Sequence, residues 1–442
     1  MIAFVGFVSM VLTVLALMHY YMWQRAVRSA TVPGGRARRI GTWLIVTAYL
    51  LAATAQAGVI FIPRELATPL AWVGFSWLGF AFYFFLFLLT GELIRLGVRI
   101  RSRERAPVTV AVSEPVSAAV EPAALRTAER TDRTSGPDPT NGPDRPSGPD
   151  RTSEPMTVDA REVTRRLFLS RSIALGAGVA AAGVGGYGIS RAMADPVLRR
   201  VPVQIYGLDP RLAGFRIAMF SDAHLGAIRR KPAMEKLVDT VNGTEPDMVA
   251  VLGDLIDGSV ADLGGDVAPM AGLLSPQGSF FVTGNHEYYS GVQEWVDYLP
   301  DLGVRVLSNE RLTIERDGAA LDLAGVTDIT GEGYDDSPDY EAALAGRRAD
   351  RPVVLLCHQP VNVDKAVEYG VDLQLSGHTH GGQLWPFHYL IAAQQGAVSG
   401  LSRIEDTQLY VTAGAGFWGP PMRVGADPEV VVIELHPQDR II

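Results

Sequence analysis

The stretch "VDLQLSGHTHGGQ" at residues 371–383 opens as a short apolar run and ends in two histidines, His378 and His380, set one residue apart among glycines. The apolar half has the length and composition of a buried strand. Four other stretches repeat the arrangement: "FRIAMFSD" (215–222), "DMVAVLGD" (247–254), "GSFFVTGN" (278–285) and "PVVLLCH" (352–358). Each reads as a strand that stops at a polar residue. Between them, residues 231–243, 292–303 and 361–370 have the mixed apolar and charged character of helices. Strands alternating with helices predict α/β architecture. In such folds ligands bind at the carboxyl ends of the strands.

Those ends carry metal-ligating side chains. "SDAH" supplies Asp222 and His224, "GD" supplies Asp254, "GNHE" supplies Asn285 and His286, "LCH" supplies His358, and "GHTH" supplies His378 and His380. Leaving His286 aside, seven oxygen and nitrogen ligands are too many for one ion and suit two. Mixed carboxylate and imidazole sets fit Mn, Fe or Zn better than Mg or Ca, which favour all-oxygen shells. One such block alone carries nothing, since a lone histidine is more often a polar core residue and an Asp-Gly pair more often a turn. Five blocks in order, each after a predicted strand, are far more specific.

The series D-x-H, G-D, G-N-H-E, H, G-H-x-H resembles the calcineurin-like metallophosphoesterase superfamily over roughly residues 200–440. "GHTHGGQLWPF" and "GFWGPPMRVG" resemble its membrane-anchored bacterial branch. The resemblance implies a β-sandwich flanked by helices. It also implies two divalent metal ions, one held by Asp222, His224 and His380 and the other by Asn285, His358 and His378, with Asp254 bridging. His378 and His380 would then serve different ions. His286 would hydrogen-bond the phosphate and protonate the leaving oxygen, while a metal-activated hydroxide attacks phosphorus. Asp247 and Asp257 are readable as partners of the ligating histidines, but solvated loop carboxylates are the plainer reading. Arg423 reads as a surface residue, with a phosphate contact the alternative. Trp385, Phe387, Phe417 and Trp418 read as packing, with a wall for an apolar leaving group or contact with the bilayer surface the alternative. Cys357, the one cysteine, excludes an intrachain disulfide and is expected in the core rather than as a nucleophile.

Charge and hydropathy divide the chain. Residues 1–200 carry 23 Arg and Lys against 14 Asp and Glu; residues 201–442 carry 16 against 34. The acidic C-terminal half argues against nucleic-acid binding, which needs positive charge. Ile2–Trp23, Trp43–Ile62 and Leu70–Leu89 are apolar runs of about 20 residues, enough to cross the hydrocarbon as helix. The loops after the first and third runs are rich in arginine, which predicts that they face the cytoplasm and that the N-terminus faces out. Residues 106–160 are rich in Pro, Ser, Thr and Asp, with "SGPD" and "NGPD" repeats, and read as a disordered tether.

Next comes "TRRLFLSRSIALGAGVAAAGVGGYGISRAMADP" (164–196). Thr164, Arg165, Arg166, Phe168 and Leu169 resemble a twin-arginine export signal placed inside the chain. An ordinary fourth span fits equally, and both put the remainder outside the membrane. The expected domains are therefore three transmembrane helices (1–105), a linker (106–160), the signal-like or fourth span (161–195) and the catalytic domain (196–442). The function expected is a membrane-tethered, dinuclear-metal phosphoesterase acting on a phosphodiester or pyrophosphate, its substrate derived from a lipid or nucleotide-sugar and export machinery its partner. A phosphomonoesterase and a non-catalytic metal-binding sensory module are the alternatives.

Overall fold

The structure is a computed structural model that describes residues 2–58, 62, 64–104 and 160–438. The tether expected over 106–160 lies outside the described residues except for Ala160, which begins a helix.

Four long helices come first: α1 (Ile2–Met22), α2 (Arg36–Gly58), α3 (Arg64–Glu104) and α4 (Ala160–Ala192), with a π-helical turn at Trp23–Arg28 after α1. By length and composition, Leu66–Gly97 of α3 and Arg166–Ala192 of α4 are able to cross a membrane. Their basic ends meet. Arg25 pairs with Glu92 at 3.2 Å, and Arg171 donates to the Ala30 carbonyl at 3.0 Å. His19 of α1 joins the helices: Trp77 of α3 donates to its Nε2 at 2.9 Å.

Twelve strands follow: β1 (Val197–Tyr206), β2 (Phe215–Phe220), β3 (Met248–Val251), β4 (Ser279–Phe281), β5 (Val304–Val306), β6 (Glu310–Arg316), β7 (Ala319–Gly325), β8 (Val353–Leu356), β9 (Leu373–Ser376), β10 (Gly400–Ile404), β11 (Thr407–Val411) and β12 (Glu429–Gln438). They form two six-stranded mixed sheets, ordered β1-β12-β2-β3-β4-β5 and β10-β11-β9-β8-β7-β6. Side chains alternate across each strand. On β2, Phe215, Ile217 and Met219 point between the sheets, where they meet Leu323, Leu356 and Leu375. Ala218 and Phe220 point outward onto Met234, Leu237 and Val241 of helix α5 (Lys231–Asn242). Both faces are thus covered, which is why these strands read as continuous apolar runs. The helix expected over 292–303 is a helix only to Tyr298 and then tightens into a 3-10 turn at Leu299–Leu302, where Pro300 removes a backbone donor.

β2, β3 and β4 run parallel in one sheet, β8 and β9 in the other. Their carboxyl ends open at one edge of the sandwich, where hydrogen bonds cross from loop to loop: Asp222 N–H to Gly253 O at 3.0 Å, and Gly377 N–H to His358 O at 2.9 Å.

Candidate metal centre

All seven expected ligands converge at that edge. Asp222 and His224 follow β2, Asp254 follows β3, Asn285 follows β4, His358 follows β8, and His378 and His380 follow β9. Five of them, Asp222, His224, Asp254, His378 and His380, have φ between 44° and 68°, the left-handed region that costs a side chain about 1–2 kcal/mol. After β2, β3 and β9 the chain turns sharply at these ligands and aims them into the cleft. The glycines serve close approach as much as bending. A Cβ on Gly377 would overlap the Ser221 hydroxyl, and one on Gly284 would overlap Asp254 Oδ1.

The ligand atoms stand at the spacing an ion imposes. Atoms about 2.0–2.2 Å from one ion, at tetrahedral or octahedral angles, lie about 2.9–3.5 Å apart. His224 Nε2 and His380 Nε2 are 3.1 Å apart, and His380 Nε2 and Asp222 Oδ1 3.4 Å. In a second group, His358 Nε2 and Asp254 Oδ2 are 3.2 Å apart, and His378 Nδ1 and Asn285 Oδ1 2.9 Å. Asp254 Oδ2 is also 3.8 Å from His224 Nε2, so this carboxylate lies between the groups. Asp222 Oδ1 and His358 Nε2 are buried without a hydrogen-bond partner. Such atoms are costly unless something binds them.

Leu252 O accepts from His358 Nδ1, which turns Nε2 toward Asp254. Burial opposes a charge on this ring, but Asp254 and Asp222 outweigh it and raise the group well above its ordinary value, so a metal bound there would displace a proton. Asp257 likewise engages His224 through Nδ1, at 3.1 Å. Burial, with the charge of His358, holds the His378 imidazole down at about 3, and burial with Arg423 holds His380 well below its ordinary value. Both rings are neutral, the form that ligates. Burial pushes the Asp222 carboxyl up, and the Asp254 charge adds to this against His358 and His224. The residues present fit a divalent metal.

Asp257 is therefore more than the solvated loop carboxylate the sequence suggested. Besides His224 it holds His286, whose Nδ1 lies 2.6 Å from Oδ1. Burial opposes an imidazolium at His286, but Asp254 and Asp257 outweigh it and raise the group to about 9. Asp247 is elsewhere, bonded to the Arg216 N–H and to Arg316. The sequence reading missed Glu287. Its buried carboxylate accepts three backbone N–H groups, from Asp254 (2.9 Å), Leu255 (2.8 Å) and Gly284 (2.7 Å), and so clamps two ligand-bearing loops together.

Other expectations need correcting. Arg423 is 1% exposed, not on the surface. It donates to the carbonyls of Gly416, His380 and Ala413, which fixes the turn that carries His380. Of the aromatic set only Phe417 is buried; Trp385, Phe387 and Trp418 are 53%, 40% and 44% exposed. Cys357 is in the core as expected, and burial pushes its thiol up to about 12, far from a reactive thiolate.

Glu287→Ala strands three buried donors, each costing about 1–3 kcal/mol. Urea unfolding is expected to show a loss of at least about 3 kcal/mol, with Glu287→Gln losing less. Asp257→Asn frees both histidines, and kcat is expected to fall about 10–100-fold. An acid works while protonated. Removing the carboxylate that keeps the proton on His286 should therefore move the alkaline limb of the pH–rate profile to lower pH.

A family model for calcineurin-like phosphoesterases matches residues 215–382. That range starts at β2 and contains every ligand position described above. An uncharacterized metallophosphoesterase of Helicobacter pylori is 35% identical over 280 residues, which cover 63% of this chain and 74% of that one. The uncharacterized metallophosphoesterase YkuE of Bacillus subtilis is 33% identical over 291 residues, covering 62% and 98%. A Bos taurus transmembrane protein with metallophosphoesterase domain is 37% identical over 266 residues, covering 56% of this chain and 59% of that relative. With its ligand spacing and these relatives together, the chain belongs to the calcineurin-like metallophosphoesterases, metal-dependent hydrolases of phosphoester bonds.

Proposed function

We propose that the protein is a membrane-tethered phosphodiesterase or pyrophosphatase that uses two divalent ions of Mn, Fe or Zn. The observation that carries this is the spacing of 2.9–3.4 Å within two ligand groups with Asp254 between them. Asp222, His224 and His380 would hold one ion and Asn285, His358 and His378 the other, Asp254 touching both. When bound, the pair supplies a Lewis acid that polarises the phosphoryl oxygens and activates water.

The chain's own groups set up the rest. His286 Nδ1 is engaged by Asp257, so Nε2 is left to hold the proton that the leaving oxygen takes up. Bound metals would offset the charge of Asp254, and Asp257 then remains the carboxylate that keeps His286 protonated. Two guanidinium groups beside the cluster are already engaged: Arg423 binds carbonyls, and Arg229 donates to Ala223 O at 2.9 Å. Arg423 is committed to five carbonyl contacts on the turn that carries His380 and so does not neutralise the second charge of a phosphomonoester. This favours the singly charged diester.

Four long helices, of which α3 and α4 are long and apolar enough to cross a membrane, with arginines gathered at one end, support a multi-pass anchor with the catalytic residues 196–442 outside the cytoplasmic membrane. The twin-arginine-like motif at 164–169 lies near the start of α4 and would mark either the export route or the fourth span.

The test uses full-length protein in detergent, stripped of metal and reloaded with Mn²⁺, Fe²⁺ or Zn²⁺, on bis(4-nitrophenyl) phosphate and on 4-nitrophenyl phosphate. The diester is expected to turn over faster, and Asp254→Asn to lose several kcal/mol of transition-state stabilisation, about 1000-fold or more. Preference for the monoester would make the enzyme a phosphomonoesterase. Turnover of neither, with metal bound, would leave a metal-binding module.

A further inference from the structure

The metal loop runs straight into the apolar helices. Leu384 and Met422 share one buried cluster with Ala81 and Tyr83 of α3 and Ala177 and Ala181 of α4. The Phe387 ring stacks on Phe82 with centroids 4.9 Å apart, and the Tyr83 hydroxyl donates to Trp385 O at 3.0 Å. Arg423 N–H donates to Gly188 O of α4 at 2.9 Å. The apolar stretch of α3, Leu66–Gly97, has 32 residues. Crossing the hydrocarbon takes about 20 of them, and any such run contains residues 78–85. Phe82 and Tyr83 therefore lie at hydrocarbon depth wherever the helix sits, and Trp385 and Phe387 lie against them.

The same surface is open and apolar. Tyr389 and Leu390 are 69% and 61% exposed, beside the half-exposed Trp385 and Phe387. In water a continuous patch of that kind marks an interaction site; here it is continuous with a helix suited to lipid. It also leads to the candidate metal centre. Trp385 is five residues from His380. Gln383 ties this loop to the next, donating to Trp418 O at 2.9 Å and accepting from Trp418 N–H at 3.0 Å. The Trp418 ring stands 5.6 Å from the His286 ring.

We propose that the substrate is a membrane lipid phosphoester that enters from the bilayer, its phosphate at the candidate metal centre beside His286 and its hydrocarbon chain along Trp418, Trp385, Phe387 and Leu390. This rests on the phosphodiesterase reading above and on α3 spanning the membrane. It adds the substrate class and its route. The aromatic loop stands at hydrocarbon depth, and the phosphoester is cut without leaving the membrane.

Two measurements on the full-length protein in phosphatidylcholine vesicles test this. In the first, Leu390→Cys is labelled with a fluorophore; Cys357, at 1% exposure, does not compete for the label. Quenching by lipids brominated on the acyl chain is expected to exceed quenching by aqueous iodide several-fold, and the reverse order would overturn the placement. The second compares 4-nitrophenyl hexadecyl phosphate in the vesicles with 4-nitrophenyl ethyl phosphate in solution. The hexadecyl ester is expected to have at least a tenfold higher kcat/KM. Phe387→Glu with Leu390→Glu should abolish that preference, with an unchanged circular dichroism spectrum and unchanged bound metal showing that the variant is folded. Equal kcat/KM for the two esters, or a preference the variant keeps, would overturn the lipid substrate while leaving the phosphodiesterase intact. Turnover of neither ester would remove the phosphodiesterase reading and this inference with it.

Discussion

The constraint on which the structure depends is the buried carboxylate of Asp254. A charge out of water must be met by partners. Its Oδ1 accepts the His286 N–H at 2.8 Å, its Oδ2 stands 3.2 Å from His358, its own N–H is held by Glu287, and its carbonyl accepts the His224 N–H at 3.2 Å. One residue thereby ties together the ends of β2, β3, β4 and β8, which come from both sheets. The left-handed turns at five ligand positions are the local cost of bringing those ends so close. The glycines around them are there because a Cβ would occupy the space the ligands need.

Sheet and site were legible where a strand is buried on both faces and stops at a ligand, because a continuous apolar run followed by a polar residue has few other meanings. Of the strands that escaped notice, β12 is also a buried apolar run but ends at no ligand, whereas β1 is of another kind. β1 contains Arg199, Arg200 and Pro202 and is largely exposed along its first half, as an edge strand can be. The residues that support the ligands were harder still. Glu287 sits beside two site residues in the short helix Asn285–Tyr289, Asp257 precedes a glycine, and Arg423 is a type rarely buried. Composition assigns each of them to water. What places them inside is a set of backbone donors and acceptors that only the folded loops bring together. The exposed aromatics Trp385, Phe387 and Trp418 were misread for a related reason: an apolar side chain predicts burial, and under the lipid reading proposed above the apolar medium is the bilayer.

The helices and the catalytic sandwich are one mechanical unit. Four residues separate the end of α4 from the start of β1, and Met422 fills the space opposite Gly79 and Gly188 on two different helices. The turn that seats Met422 also carries Arg423, which holds His380. The position of the candidate metal centre relative to the apolar helices is therefore set by these contacts.

The central claim is that Asp254 is shared by two ions. The most direct measurement is electron paramagnetic resonance on metal-stripped protein titrated with Mn²⁺. Two equivalents giving an exchange-coupled dinuclear signal, replaced in Asp254→Asn by an uncoupled mononuclear one, is the predicted result. A single equivalent, or two ions that never couple in the unsubstituted protein, would contradict it.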